Sequence, residues 1–361
     1  MYFPRLRRIL FIRVNLCSSV ARSFVFENGP RGGSGLKTAI PKRESPQMHT
    51  IIGLDVGGTK TAVVEGTAEA NILQRHEFPT EAHRPFAEIF PRLARLIDQT
   101  ISNALASDRQ PVALSVSIGG PLRIQEGLLL NPTHLPGWHG VHLRKVLSEQ
   151  YPELPVFIEH DGNAGALAEF HFGVGRGRTN LRDLVFLTFG TGIGAGLIIN
   201  GQIVHGASDT AGEIGHLRLA PTGPLLYGKA GSWEGFSSGK GLVKLAAQMF
   251  PQRWSDDTPI RDLVNAMLAN DEEAMQVATG AGAWLGRGLA ILVDTLNPQI
   301  IVLGSLAVAL GERVLEPARR ALREEALPQA VEACEILPAA LGSNIGDVAA
   351  LMAALTSPYY I

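Results

Sequence analysis

The chain has 361 residues, 45% of them hydrophobic, and 32 Lys+Arg against 34 Asp+Glu leave a formal net charge of -2. That length fits about two domains at ~150 residues each, and the charge balance argues against general nucleic-acid binding, which needs a basic surface to displace counterions. Two cysteines, Cys17 and Cys334, cannot build a disulfide framework or a Cys-rich zinc centre, and no apolar run reaches the ~18 residues of a membrane span, so a soluble cytoplasmic protein without membrane partners is expected.

The first 47 residues differ from the rest. Met1 to Val25 is rich in arginine and free of acidic residues, and a glycine-rich stretch, Gly29 to Gly35, follows. A transit peptide has that bias. A secretory signal does not fit, because Arg13 interrupts the apolar stretch and no A-x-A-like cleavage site follows. A misassigned start, with Met48 as initiator, is favoured because the first strand begins just after Met48. Residues 1–47 are therefore expected to be a disordered or misassigned extension. Arg31 to Thr38 superficially suggests a phosphate loop but has Leu36 where G-x-x-x-x-G-K-[ST] requires glycine.

From Ile51 the elements are clearer. Ile51 to Leu54 reads as a strand, Asp55 to Lys60 as a glycine turn, and Thr61 to Val64 and Ile72 to Phe78 as strands. Apolar residues at Phe86, Ile89, Phe90, Leu93, Leu96, Ile97 and Ile101 have helical spacing. Val112 to Ile118 is a strand running into Gly119 and Gly120, and Val156 to Ile158 one running into His160 and Asp161, with a helix over Ala164 to Phe170. Leu184 to Thr188 enters a second glycine turn and leaves as the strand Leu197 to Ile199. Glu273 to Leu296 is the longest helical candidate, Ile300 to Leu303 a strand ending at Gly304, and Gly346 to Leu355 a closing helix. Strand, glycine turn, strand thus occurs twice, a weak internal repeat that suggests two related α/β domains.

Those turns carry the chemistry. A dinucleotide fingerprint passes from strand to helix, whereas both turns here pass from strand to strand. Glycines let backbone N–H groups approach an anion, and a hairpin can do this as a helix start can. One such turn alone is as easily a plain tight turn. Two together, with Thr59, Lys60 and Thr191 adding donors, favour phosphate binding. Asp161, at a strand end, is either an acceptor for the proton of a hydroxyl nucleophile or the N-cap of the helix near Ala164. Glu213, His216 and Glu234 lie among glycines and an aromatic. They suit either a polyhydroxylated ligand or an ordinary surface loop.

Together these segments resemble the ROK family of sugar kinases from about Ile51 to the C-terminus. Asp55, Gly57, Gly58, Thr59 and Lys60 match its first phosphate motif, and Gly190, Thr191, Gly192 and Gly194 its second. His160 and Asp161 match the catalytic segment, Gly212 to His216 the family signature, Asn131 to Trp138 the sugar loop, and Gly304 the adenosine-side turn. The resemblance implies an α/β, two-domain actin-like ATPase (ribonuclease H-like) fold with an active-site cleft between domains. Residues 48–165 with the C-terminal helix 345–361 would form the smaller domain, and 166–344 the larger. It further implies ATP and Mg²⁺ as cofactors, a homodimer, Asp161 as base, and Asp55 reaching Mg²⁺ through water. Gly120, His160, Asp161, Glu213, His216 and Glu234 would bind sugar. The expected reaction is ATP-dependent phosphorylation of a hexose, first glucose at its 6-hydroxyl. The alternatives are N-acetylglucosamine, N-acetylmannosamine or fructose as substrate, or a non-catalytic sugar-sensing regulator. Such regulators carry a winged helix-turn-helix, for which residues 1–47 are too short and too poor in helical periodicity.

Two departures stand out. Leu225, Tyr227 and Ser232 occupy the positions of the family's zinc-binding cysteines. No zinc site is therefore expected, and Leu225 and Tyr227 should pack where the metal would sit. His160 replaces the asparagine common before the catalytic aspartate, which affects the sugar preference.

Overall fold

In a computed structural model, which describes residues 47–357, the first sheet grows from β1 (Met48–Val56). The expectations for the arginine-rich leader lie outside the described residues. Residues 50–54 of β1 are buried on both faces, as in a central strand. The glycine turn reverses the chain into β2 (Lys60–Gly66), antiparallel to β1 with Leu54 opposite Val63, and β3 (Ile72–Pro79) adds an antiparallel edge whose exposure alternates. Helix α1 (Phe86–Ala106) buries Phe86, Ile89, Leu93, Ile97, Thr100 and Ala104, one stripe at 3–4 residue spacing. It leads to β4 (Arg109–Ile118), parallel to β1. The two-residue strands β5 (Leu122–Arg123) and β6 (Leu128–Leu129) form a small hairpin before α2 (Leu143–Gln150), and β7 (Val156–His160) pairs parallel to β4. The order is β3-β2-β1-β4-β7.

Helix α3 (Asp161–His171) carries the chain to β8 (Leu184–Leu187), followed by β9 (Ala195–Ile199), antiparallel to β8, and β10 (Gln202–Ile203), antiparallel to β9. A hairpin of β11 (Leu225–Leu226) and β12 (Lys229–Ala230) precedes helices α4 (Trp233–Ser237), α5 (Gly239–Met249), α6 (Ile260–Leu268) and α7 (Glu272–Leu296). Then β13 (Ile300–Leu303) returns parallel to β8 and is followed by α8 (Ser305–Leu310), α9 (Glu312–Glu325), α10 (Pro328–Glu332), β14 (Glu335–Pro338) and α11 (Ile345–Leu355). The second order is β10-β9-β8-β13-β14, with β14 parallel to β13.

Both sheets therefore follow one plan. On one side of a central strand two strands are added by successive antiparallel pairings, on the other side two by parallel pairings, and the glycine turns join equivalent strands, β1 to β2 and β8 to β9. Helix α11 is apolar nearly all round because it packs two ways. Ala350, Leu351 and Ala354 meet Ile51, Val64 and Ala113 of the first sheet, while Val348, Ala349 and Met352 share a core with Ala164, Phe186 and Val302. The described residues 47–357 accordingly fall within one compact unit.

Candidate active site

A cleft of about 910 Å³ opens where the two glycine turns, the start of α3 and the segment 210–240 converge. Gly58 and Thr59 line it from the first turn. Gly58 lies under the segment Asn131 to Trp138, where a Cβ would stand 2.6 Å from the His134 carbonyl oxygen. The second turn is tied internally: the Gly194 amide donates to Thr188 Oγ1 at 2.9 Å and the Gly190 amide to the Gly192 carbonyl at 3.1 Å. It is also tied to α5, since the Gly239 amide donates to Gly190 O at 2.7 Å and the Lys240 amide to Thr191 O at 3.3 Å. Among the described residues, the Thr191 and Gly192 amides have no protein acceptor. Unspent, closely approachable N–H groups in a fixed turn form a cradle for an anion.

Asp161 is the first residue of α3, and the N-cap is His160, whose side chain accepts from the Gly162 amide at 3.2 Å. The alternative of Asp161 as N-cap is thereby corrected: the helix starts three residues earlier than its apolar pattern suggests. Asp161 Oδ1 also accepts from Gly162 N at 2.7 Å, while Oδ2 faces Gly119 and has no protein donor among the described residues. Because His160 Nδ1 accepts, its ring proton is assigned to Nε2. Gly120 makes room for that ring, since a Cβ there would lie 2.8 Å from His160 Cδ2. Nε2 stands 4.0 Å from Glu213 Oε1, and His216 Nε2 stands 4.0 Å from Glu213 Oε2. Those gaps exceed a direct hydrogen bond and suit ligand hydroxyls that bridge them. Glu234 is buried, which pushes its carboxyl above the usual range against the pull of His216 and the Ile193 amide.

The segment bearing Glu213 is strapped to β7 and to the segment after β5. His205 Nε2 meets Glu159 Oε2 at 2.8 Å, the other Glu159 oxygen accepts from Asn163 Nδ2 at 2.9 Å, and Asp209 accepts from the Ile124 amide at 3.0 Å. The bond to Glu159 raises the His205 pKa.

Asp55 lies behind the cleft wall. Burial, together with the nearby carboxylates of Asp161 and Asp347, raises its pKa from 3.8 to about 6, against the attraction of Lys60 and Arg75. Arg75 holds Asp347 through its Nε at 2.9 Å to both carboxylate oxygens. Among the described residues no three potential ligands cluster to hold a metal by themselves. A Mg²⁺ ion fits Asp55 in another way, since it is commonly held by one or two carboxylates plus substrate phosphates and water, and its charge would relieve this crowded carboxylate. Without a cation, the folded protein retains a proton on Asp55 between pH 3.8 and about 6 that the unfolded chain has lost. Stability therefore declines as pH rises through that window, and the cost persists above it. Asp55→Asn should stabilise the nucleotide-free protein by on the order of 2 kcal/mol at pH 7.5, with the gain shrinking as pH falls toward 4. Urea melts at several pH values measure this, and equal midpoints throughout would exclude the crowding described.

The structure thus brings Gly58, Thr59, Gly120, His160, Asp161, Gly190, Thr191, Gly192, Gly194, Glu213, His216 and Glu234 into one cleft. Asp55, Gly57, Lys60 and Gly304 are not among the lining residues. Gly57 closes the first turn by donating to Lys60 O at 3.1 Å, and Gly304 backs the second, its amide on Leu187 O at 2.9 Å. Lys60 points away: its ammonium donates to Glu77 on β3 at 3.3 Å, and its side chain is 59% exposed. Thr188, which opens the second phosphate motif, also lines the cleft, as do Thr210 and Lys240, which sequence reasoning did not single out.

One expectation is overturned. Leu225 and Tyr227 do not pack into the place of a metal; they are 58% and 40% exposed. Side chains alternate across a strand, and in the short β11 it is Leu226 that takes the inward side. Tyr227 turns at the hairpin tip with φ of 47° and presents its hydroxyl to Lys240 Nζ at 3.1 Å. Ser232 caps α4 by accepting from the Gly235 amide at 3.2 Å.

A family model described as the ROK family matches residues 51–356. The chain belongs to the ROK family. Among its relatives is a glucokinase of Halalkalibacterium halodurans, 29% identical over 309 residues, covering 82% of this chain and 92% of the relative. A xylose repressor of Bacillus spizizenii is 27% identical over 325 residues, covering 89% and 81% respectively. A ROK family glucokinase from Streptomyces griseus, solved with glucose and AMPPNP, is 28% identical with a TM-score of 0.68, covering 83% of this chain and 97% of that one. The two sheets are of the kind seen in ROK kinase structures, the actin-like ATPase fold. Among the described residues no helix is long and apolar enough to cross a membrane.

Proposed function

We propose that this ROK protein is a sugar kinase that transfers the terminal phosphoryl group of ATP to a hexose, first glucose at its 6-hydroxyl. One observation carries the reading: Asp161 Oδ2, without a protein donor, faces the same cleft as the unspent Thr191 and Gly192 amides. An acceptor for a hydroxyl proton and a cradle for a phosphate are the two parts such a transfer needs, because the catalysis is mostly positioning and charge stabilisation.

Asp161 takes the proton of the sugar hydroxyl as that oxygen attacks the terminal phosphorus. The bond from phosphorus to the bridging oxygen breaks, its electron pair leaves on ADP, and the sugar leaves as a phosphate monoester. The amides of Thr191 and Gly192, with Gly58 and Thr59 opposite, hold the phosphates. His160 Nε2–H, Glu213, His216 and the buried Glu234 orient the remaining hydroxyls. Mg²⁺, held with the help of Asp55, would supply charge neutralisation to the phosphates when bound. The two sheet-bearing lobes, 48–165 with 345–361 and 166–344, would close on the ligands and exclude water, whose attack would otherwise waste ATP. In this reading the protein works as a cytoplasmic homodimer.

The xylose repressor relative favours a second reading, a sugar-binding regulator without turnover. A coupled ADP-release assay over a panel of hexoses and N-acetylhexosamines separates the two. The kinase reading expects turnover led by glucose. Thermal stabilisation by a sugar with no ADP release from any would establish the regulator, and preference for an N-acetylhexosamine would move the substrate to the roomier class.

A further inference from the structure

The first phosphate turn contains a lysine, yet its charge is spent elsewhere. Lys60 Nζ pairs with Glu77, which also receives Arg75 Nη2 at 2.7 Å, so the Lys60 ammonium belongs to a chain of exposed charges on the outer face of β2 and β3. Among the residues that line the cleft, one bears a fixed positive charge, and it is Lys240.

Two independent features place Lys240 where an anion would need it. Its own amide is bonded to Thr191 O and that of the preceding Gly239 to Gly190 O, so its backbone is fixed to the second glycine turn. Its side chain reaches back over the cleft, where its charge acts on both His134 and Glu234. A Cβ on Gly192 would stand 3.2 Å from Glu234 Oε2 and 4.0 Å from His134 Nε2, so these two groups flank the turn. The ammonium has no carboxylate partner within salt-bridge distance among the described residues. Its contacts are the neutral Tyr227 hydroxyl at 3.1 Å and the Tyr227 ring, whose centroid is 5.1 Å away. A lysine ammonium is a mobile point charge on a flexible stem and binds phosphate as such. Held by a neutral phenol, it can turn to an arriving anion without breaking an ion pair.

We propose that Lys240, rather than Lys60, is the cation that contacts the terminal phosphate in this cleft, with the Tyr227 hydroxyl as its resting partner. This deepens the kinase reading and rests on it. During transfer Lys240 keeps its protons and offsets the charge on the moving phosphoryl oxygens, while Asp161 receives the sugar proton.

The test compares Lys240→Met with Lys60→Met, both at exposed positions, with melting curves to verify folding. Inorganic tripolyphosphate is titrated calorimetrically into each protein with glucose present, and ADP release is measured against ATP concentration. Lys240→Met should weaken tripolyphosphate binding and lower kcat/KM for ATP by roughly 10- to 100-fold, as expected for loss of a charged hydrogen bond. Lys60→Met should change either by less than about threefold, Lys240→Arg should recover part of the loss, and Tyr227→Phe should leave tripolyphosphate affinity equal or higher. Wild-type affinity in Lys240→Met, a larger loss in Lys60→Met, or no tripolyphosphate binding by the wild type would each overturn the proposal. Failure of the kinase reading has a different signature, tripolyphosphate binding that depends on Lys240 with no ADP release from any sugar.

Discussion

Asp161→Asn should fold, bind sugar with nearly unchanged affinity, and lose about 10²-fold or more in kcat. The side chain keeps its volume, and an amide oxygen can still accept from the Gly162 amide, the bond that Oδ1 makes at 2.7 Å. What changes is the other arm. Oδ2, which faces Gly119 without a protein donor, becomes an NH₂ group that offers protons to the sugar hydroxyl instead of receiving one. The loss should therefore appear in kcat with little change in KM for sugar. Helix α3 should keep its stability, because its N-cap is His160. Sugar binding is checked by calorimetry and turnover by ADP release. Full activity in the variant would reduce Asp161 to a partner of the Gly162 amide and remove the proton acceptor from the mechanism.

Much of the fold was legible because its signals are local. Leu54 to Val64 and Leu187 to Ile198 each place β-prone residues on both sides of a glycine cluster, and a short turn between such runs can only be a hairpin. The equivalence of the two sheets followed from that repeat. What was not legible depends on partners distant in sequence. Lys60 sits in a motif that suggests phosphate, but its nearest acid is Glu77, brought alongside by the β2–β3 pairing. Asp347 meets Arg75 only because α11 packs back across the first sheet, 272 residues along the chain. Lys240 carries no signal of its own: one lysine early in a helix is ordinary until that helix docks on a glycine turn. The fate of Tyr227 rested on which of two adjacent leucines faced inward, a one-residue parity that the two-residue strand β11 is too short to announce.

A position outside the cleft is also sensitive to a single methyl group. Gly288, in the middle of α7, faces Trp233, and a Cβ there would stand 2.0 Å from Trp233 Cε2 and 2.3 Å from Cδ2. Trp233 is fully buried in a core that also holds Leu285 and Leu289, so the indole has nowhere to rotate and either α7 or α4 must shift. Alanine gains up to about 1 kcal/mol over glycine in a helix interior, but overpacking of this kind costs about 1–3 kcal/mol and sometimes more. Gly288→Ala should therefore be net destabilised by roughly 2 kcal/mol. The damage should also reach the site, because Glu234 follows Trp233 in α4 and shifts with it. Since small misplacements of binding groups are costly in rate, kcat/KM for sugar should fall about tenfold or more. Gly280→Ala in the same helix is the control: its Cβ would meet Leu245 Cδ2 at 3.8 Å, an ordinary contact, and helix propensity alone should make that variant slightly more stable. If the two variants melted alike and bound sugar alike, Trp233 would have room that the packing does not show, and the link from α7 through Trp233 to Glu234 would fail.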